Sequence, residues 1–223
     1  MMLPPFMRVV AVPDGAPRTK PKALNYALSF ARGDYVVVYD AEDRPEPDQL
    51  RAAIAAFARA GKRVACVQAR LNVYNAYHCW LSRQFAIEYS SLFDAVLPAL
   101  MRLGVPVPLG GTSNHFPRHV LQEIGAWDPY NVTEDADLGV RLARRGWTTA
   151  VIESTTWEEA PVTLGVWFRQ RTRWMKGWMQ TYLVHTRHPW RLWRELGFGG
   201  TIGFHALTGG LILSALVHPQ QAA

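Results

Sequence analysis

A chain of 223 residues with 49% hydrophobic and 19% charged side chains can bury a sizeable core, which excludes a disordered segment or a mini-protein. Its two cysteines, Cys66 and Cys79, form no CxxC pair, which excludes a disulfide framework and fits a reducing compartment. The net charge of +6 admits nucleic acid, anionic lipid or a phosphorylated ligand as partner.

In chain order, residues 8–12 are a short apolar run closed by Pro13-Asp14-Gly15, which predicts a strand ended by a turn. The basic loop Arg18-Thr19-Lys20-Pro21-Lys22 leads into a predicted helix over 22–31, with Pro21 suited to its first turn and Gly33 to its stop. Lysines at a helix start oppose the macrodipole unless an anion binds there, so a phosphate is a sensible guest; two solvated lysines are the plainer alternative. Residues 35–39, Tyr-Val-Val-Val-Tyr, predict a buried strand that runs straight into Asp40-Ala41-Glu42-Asp43 before Arg44-Pro45 breaks it. Open α/β folds bind ligands at that carboxyl edge. Asp40 and Glu42 share a side of an extended chain, and Asp43 can join them if the loop bends. Such grouped hard oxygens suit Mg²⁺ or Mn²⁺, although an acidic turn after a strand has the same pattern.

A helix over 47–60 follows, with Leu50, Ile54 and Phe57 on one face, and 64–68 reads as the next strand. Residues 80–103 form a long helical pattern broken at Pro98, with Phe85, Tyr89, Leu92, Phe93 and Val96 as its apolar stripe. The loop 105–114 ends in Gly110-Gly111-Thr112-Ser113-Asn114, where paired glycines let the backbone approach a ligand closely; a plain connecting loop is the alternative. His115, taken alone, reads as a structural or hydrogen-bonding histidine.

A second acidic cluster, Thr133-Glu134-Asp135-Ala136-Asp137, opens a helix that Thr133 can cap and Gly146 ends. The helix dipole alone favours acids there, but does not explain a second acidic site in a basic protein. Residues 148–152 predict a strand, and Pro161 opens a long helix to about His185. Gln170, Arg173 and Trp174 share one face of it, fit either to hold a sugar and a diphosphate or to anchor at an interface. Seven basic residues lie from Arg169 to Arg194 and six of the nine tryptophans from Trp157 to Trp193, a pattern of membrane interface rather than nucleic-acid groove. Residues 196–218 are largely apolar, and at about 1.5 Å per residue they can cross a hydrocarbon core of about 30 Å. The preceding arginines place that interface on the cytoplasmic side.

Taken in order, these motifs resemble those of the membrane-bound, processive-type glycosyltransferases of family 2, the cellulose-synthase-like group. Lys22-Ala23-Leu24-Asn25 resembles the family's Lys-Ala-x-Ala-Leu-Asn segment beside the nucleotide. Asp40-Ala41-Glu42-Asp43 resembles its Asp-x-Asp metal motif, with Glu42 or Asp43 as the second acid. Thr133-Glu134-Asp135 resembles its Thr-Glu-Asp motif, and Gln170-Arg171-Thr172-Arg173-Trp174 its Gln-x-x-Arg-Trp motif on an interfacial helix.

The resemblance implies an α/β fold, a three-layer sandwich of the nucleotide-diphospho-sugar transferase (GT-A) type. It implies a partial catalytic domain over 1–160, an interfacial region over 161–194 and a membrane-inserting segment over 195–223. The family fold begins with two further βα units, so the chain looks truncated at both ends. Sugar transfer from a nucleotide-diphosphate donor, a UDP-sugar first among them, to a saccharide or other hydroxyl acceptor with inversion, in polysaccharide or glycoconjugate synthesis, is then expected at the cytoplasmic membrane, with no nucleic acid involved. The implied roles are Asp135 as general base; Asp40, Glu42 and Asp43 at Mg²⁺ or Mn²⁺; and Lys22, Asn25, Gln170 and Arg173 on the donor. Trp174, Gly111, Thr112, Ser113 and Glu134 would face the acceptor. A non-catalytic remnant that keeps only a membrane-associated scaffold is the competing expectation. A metal-dependent phosphatase ranks last, because it leaves Gln170 to Trp174 without a role.

Overall fold

The computed structural model describes residues 4–217. Five strands form its sheet: β1 Tyr35–Val38, β2 Arg44–Pro45, β3 Val64–Val73, β4 Asn114–Pro117 and β5 Thr148–Glu158, in the order β1-β4-β3-β5-β2. The two long central strands, β3 and β5, run parallel, and the other pairings are antiparallel. Alternation along β3 assigns its faces. Cys66 joins a core with Leu28, Phe116, Leu121, Trp127 and Leu138, whereas Val67 and Ala69 pack with Ala53 and Ile152. Helices α1 (Lys20–Leu28), α5 (Arg118–Glu123) and α6 (Glu134–Arg144) therefore cover one face and α2 (Gln49–Arg59) the other. This is the expected three-layer α/β arrangement.

Several boundaries differ from the sequence reading, each for a physical reason. Residues 8–12 form no strand; Val9 is 80% exposed, and an extended segment without a partner strand has nothing to pair its backbone. Helix α1 starts at Lys20, ahead of the predicted 22, because Pro21 tolerates the first turn. Strands β3 and β5 run on past 68 and 152 because each pairs with the other as far as Val73 and Glu158. β4 arises where a loop was expected. Its Asn114 donates to Gly110 O at 2.6 Å and His115 Nδ1 meets Val67 O at 3.0 Å, which ties these buried side chains to the sheet, while His115 Nε2 is buried without a partner.

The 80–103 helix does not break at Pro98. It runs as α3 (Trp80–Ser90), a π turn over Ser91–Val96, and α4 (Leu97–Leu103). Pro98 offers no N–H to the carbonyl four residues back, and the wider turn absorbs the missing bond. Long α7 (Leu164–Thr186) begins behind Thr163, whose Oγ1 accepts from Val166 N–H at 3.4 Å, rather than at Pro161. Helices α8 (Pro189–Phe204) and α9 (Gly210–Val217) are joined through a π turn at His205–Gly209. Gly197 kinks α8 with φ 68°, separating an arginine- and tryptophan-bearing start from the apolar remainder. Among the described residues, Pro189–Val217 is the one helical stretch long and apolar enough to cross a membrane. The predicted apolar run reaches Val217, and His218 lies outside the described residues. His205, its polar interruption, meets Tyr182 OH on α7 at 3.0 Å.

Thr133 stands at the start of α6, but its side chain makes no cap hydrogen bond; it faces Asn131 and Thr181 instead. The reason is the crossing of α7, where Gly177 lies directly over it. A Cβ at Gly177 would come within 2.6 Å of Thr133 Oγ1 and 2.8 Å of its N. On the same helix Arg173 stands close enough to Glu134 of the second acidic cluster for its charge to be felt there. Gly177→Ala should therefore destabilise the fold by about 1–3 kcal/mol, read as a lowered unfolding midpoint; an unchanged midpoint would contradict the tight crossing.

Candidate active site

The acidic loop after β1, the start of α1, the Gly110-Gly111 turn and the start of α6 meet at one sheet edge, and Lys20 ties them together. Its Nζ lies 2.5 Å from Asp40 Oδ1 and donates to Gly111 O at 2.9 Å. Burial alone would lower the ammonium's pKa, but the Asp40 carboxylate outweighs it and holds Lys20 above its ordinary value. Lys20, not Lys22, is thus the cation of this edge. Lys22 turns outward to the carbonyls of Pro13 (3.2 Å) and Gly15 (2.5 Å).

The three carboxylates of the loop do not gather into a ready-made cage, because each is engaged differently. Asp40 is paired with Lys20. Asp43 folds back, its Oδ2 accepting from Asp40 N–H at 2.6 Å and from the Thr112 hydroxyl. Glu42 stays exposed in the same turn. Among the described residues no three Asp, Glu, His or Cys side chains converge on one point. Asp43 Oδ1, however, is buried with no hydrogen-bond partner, an uncommon state for a carboxylate oxygen and one that a hard cation would satisfy. Burial pushes the Asp43 carboxyl above its ordinary value, with Asp40 and Glu42 adding to the effect. Glu158, at the end of β5, joins the same acidic field. Burial, with Asp43 nearby, raises it to about 7, and Tyr89 OH donates to it at 3.2 Å.

Asp135, in the first turn of α6, is 5% exposed. Burial, and then neighbouring Glu134, push its carboxyl up to about 7; Lys20 and a hydrogen bond from Trp127 only partly oppose this. That bond, Trp127 Nε1 to Asp135 Oδ1 at 3.0 Å, fixes one oxygen. The other lies by the Gly110-Gly111 turn, where a Cβ on Gly111 would sit 3.9 Å from Oδ2. Trp127 is itself set by local backbone. Gly125 and Ala126 adopt left-handed φ values of 82° and 52°, turning the chain back after α5. Asn25 then brackets Trp127, donating to its carbonyl at 2.7 Å and accepting from its N–H at 3.1 Å. Asn25 accordingly supports the residue that holds Asp135, and both ends of its side-chain amide are engaged there.

Glu134 is 8% exposed, raised by burial and opposed by Lys20 and Arg173. Thr112 Oγ1 also contacts Val38 O at 3.2 Å, and Ser113, at φ 57°, donates to Thr156 Oγ1 at 2.6 Å. Both hydroxyls are spent inside the fold, leaving Gly111 as the residue of this turn beside Asp135. On α7, Gln170 presents a buried Oε1 without a partner, and Arg173 is exposed with its charge felt at Glu134. Trp174 is packed, its ring centroid 6.2 Å from that of Phe85 and the Arg171 guanidinium 4.8 Å over it. Arg171 in turn pairs through both terminal nitrogens with Glu88, which locks α7 onto α3.

The arrangement offers hard oxygens for a cation, two cations for an anion, and a buried carboxylate with one oxygen free to take a proton. The sequence reading missed Lys20, Trp127, Glu158 and Arg171 in these roles. Lys20 stood in the recognised basic loop; Trp127 and Arg171 sat inside quoted motifs; nothing local marked Glu158.

Among solved structures, the mannosyltransferase PcManGT from Pyrobaculum calidifontis, in complex with GDP-Man and Mn²⁺, shares the fold at a TM-score of 0.55 and 19% identity, over 92% of this chain and 59% of that one. The architecture is therefore that of the GT-A type glycosyltransferases. The family model described as glycosyl transferase family group 2 matches residues 35–220, and the chain belongs to that family. It is 29% identical to Probable glycosyltransferase YdaM of Bacillus subtilis, covering 76% of this chain and 40% of that protein. It is 30% identical to Beta-monoglucosyldiacylglycerol synthase of Synechocystis, covering 82% of this chain and 38% of the synthase. The chain thus spans well under half the length of these relatives.

A carboxyl raised in the folded state favours folding when protonated, so its contribution is lost as pH climbs from its ordinary value of 3.8 through about 7. Asp135→Asn should remove that loss. The variant's unfolding midpoint should gain on the parent's between about pH 4 and about pH 7, and a constant difference across that range would contradict the buried, raised carboxyl.

Proposed function

We propose that the chain carries the catalytic edge of a membrane-associated, inverting glycosyltransferase that uses a nucleotide-diphosphate sugar. The observation that carries the reading is Asp135: buried, raised to about 7, and held by Trp127 with its second oxygen beside Gly111. A base poised near neutrality takes the acceptor hydroxyl's proton as that oxygen attacks the anomeric carbon. Attack from the face opposite the diphosphate inverts the anomeric centre.

Asp40 and Asp43, with Glu42 in reach of the same turn, would hold Mg²⁺ or Mn²⁺, which stabilises charge developing on the departing diphosphate. Asp43 Oδ1, buried and unpartnered, is the oxygen this assignment explains. Lys20 and Arg173 supply fixed positive charge toward the same leaving group, and Gln170 Oε1 is a buried acceptor for a sugar or ribose hydroxyl. Lys20 would then exchange part of its contact with Asp40 for a phosphate oxygen. Glu134 and Gly111 border the acceptor side, and Trp174 stiffens that wall through Phe85 and Arg171. PcManGT in complex with GDP-Man and Mn²⁺ supports a nucleotide sugar and a divalent ion as ligands. The glucosyldiacylglycerol synthase, together with the apolar Pro189–Val217 helix, supports a membrane setting; the arginines ahead of that helix favour the cytoplasmic side for the catalytic edge. A UDP-sugar donor and a saccharide or lipid-borne hydroxyl acceptor complete the reading.

Transfer assayed with UDP- and GDP-sugars should show kcat/KM rising with pH through about 7, because the base must be deprotonated. Asp135→Asn should lower transfer by at least about 10²-fold while nucleotide affinity changes little. Equal rates in variant and parent would remove Asp135 from the reaction.

A further inference from the structure

A second recess lies on the far side of α6. Residues two apart on a helix point about 200° apart, so Asp137 faces away from the pocket of Asp135. The recess has a volume of about 470 Å³, and Trp127 is its partition from the base, lining the recess while its N–H serves Asp135. Its basic wall is Arg141, Arg144 and Arg145 at the end of α6, His185 on α7, and His188 and Arg191 at the start of α8.

The acids of this wall are already committed. Asp137 accepts from Arg141 Nε at 2.7 Å and meets His185 Nε2 at 2.9 Å. Glu195 accepts from both Arg144 (2.5 Å) and Arg191 (2.7 Å), so one carboxylate serves two guanidiniums. Asp128, the remaining acid, accepts from Tyr130 N–H at 2.9 Å. Exposed Arg145 has no side-chain hydrogen bond or ion pair among the described residues, and Arg194, in the adjoining hollow with His188, Trp190 and Arg191, has none either. The rim is left with excess positive charge.

That rim is continuous with the apolar helix. α8 opens at Pro189 with Trp190 86% exposed; Trp193 and Phe198 meet edge to face at 5.5 Å, and beyond the Gly197 kink exposed Phe198 and Ile202 lead into the apolar run. Unpaired guanidiniums with exposed tryptophans at the mouth of an apolar helix match the phosphate level of a bilayer. We propose that this recess binds the headgroup phosphate of an anionic membrane lipid, whose acyl chains lie along the exposed side of α8. The proposal goes beyond the transferase reading and rests on the membrane reading alone.

Two measurements separate the outcomes. Insertion of the full chain into phosphatidylcholine vesicles reads the apolar helix; failure to insert would sink the membrane reading and this site together. Native mass spectrometry of the detergent-purified chain, supplied with equal phosphatidylglycerol and phosphatidylcholine, reads the recess. We expect phosphatidylglycerol to be retained about five- to tenfold over phosphatidylcholine, the preference to collapse in Arg145→Glu, to weaken in Arg145→Gln, and to survive in Arg63→Glu, an exposed charge elsewhere. Equal retention of the two lipids, or equal loss in Arg63→Glu, would overturn the proposal. So would displacement of the bound lipid by inorganic phosphate, which would mark the recess as a site for soluble anions.

Discussion

The fold gathers acids at one sheet edge faster than it supplies cations to balance them, and the rest of the site follows from that imbalance. Asp43, Glu134, Asp135 and Glu158 are all raised with burial as the first cause, and each also feels a neighbouring carboxylate. Lys20 is the one ammonium bonded directly into the cluster, through Asp40 and Gly111 O, and Arg173 reaches it from α7. Charges of one sign in a low-dielectric setting are tolerated only if protonated, hydrogen-bonded or neutralised. The edge uses the first two devices, and under the proposed function a divalent cation with a diphosphate would supply the third.

The helices explain why this edge is rigid enough to use. Asn25 grips Trp127, Trp127 grips Asp135, and Gly177 lets α7 pass directly over Thr133. Arg171 clamps α7 to α3 from the other side. α8 packs back on α6, with Leu192 and Phe204 buried beside Val140, so the apolar segment and the helix that carries Asp135 share a core. The apolar helix and the helix that carries Asp135 are therefore mechanically linked in this chain.

Much of this was legible in the residues. The acidic ends of 35–43 and 133–137 are local signals, since strand periodicity and helix-start chemistry are written in adjacent positions, and the structure brings both to one edge. Residues at the margin of an element were read less well. A helix starting at Lys20 rather than at 22 exchanges which lysine turns inward. Contacts between distant segments were invisible: Asn25 with Trp127, Ser113 with Thr156, and Asp43 with Glu158 depend on sheet order, which no spacing encodes. β4 escaped for the same reason, because Asn114 and His115 read as loop until their buried partners are known.

The central claim is that the acidic edge, in this chain as it stands, takes a diphosphate through a divalent ion. Calorimetric titration of UDP and then GDP into the detergent-solubilised chain, with and without Mn²⁺, tests it most directly. Nucleotide binding that requires Mn²⁺ and is lost in Asp40→Ala is the result expected. Binding that is indifferent to the metal and to that substitution, or none by a folded chain, would contradict the account and favour a scaffold without a donor site.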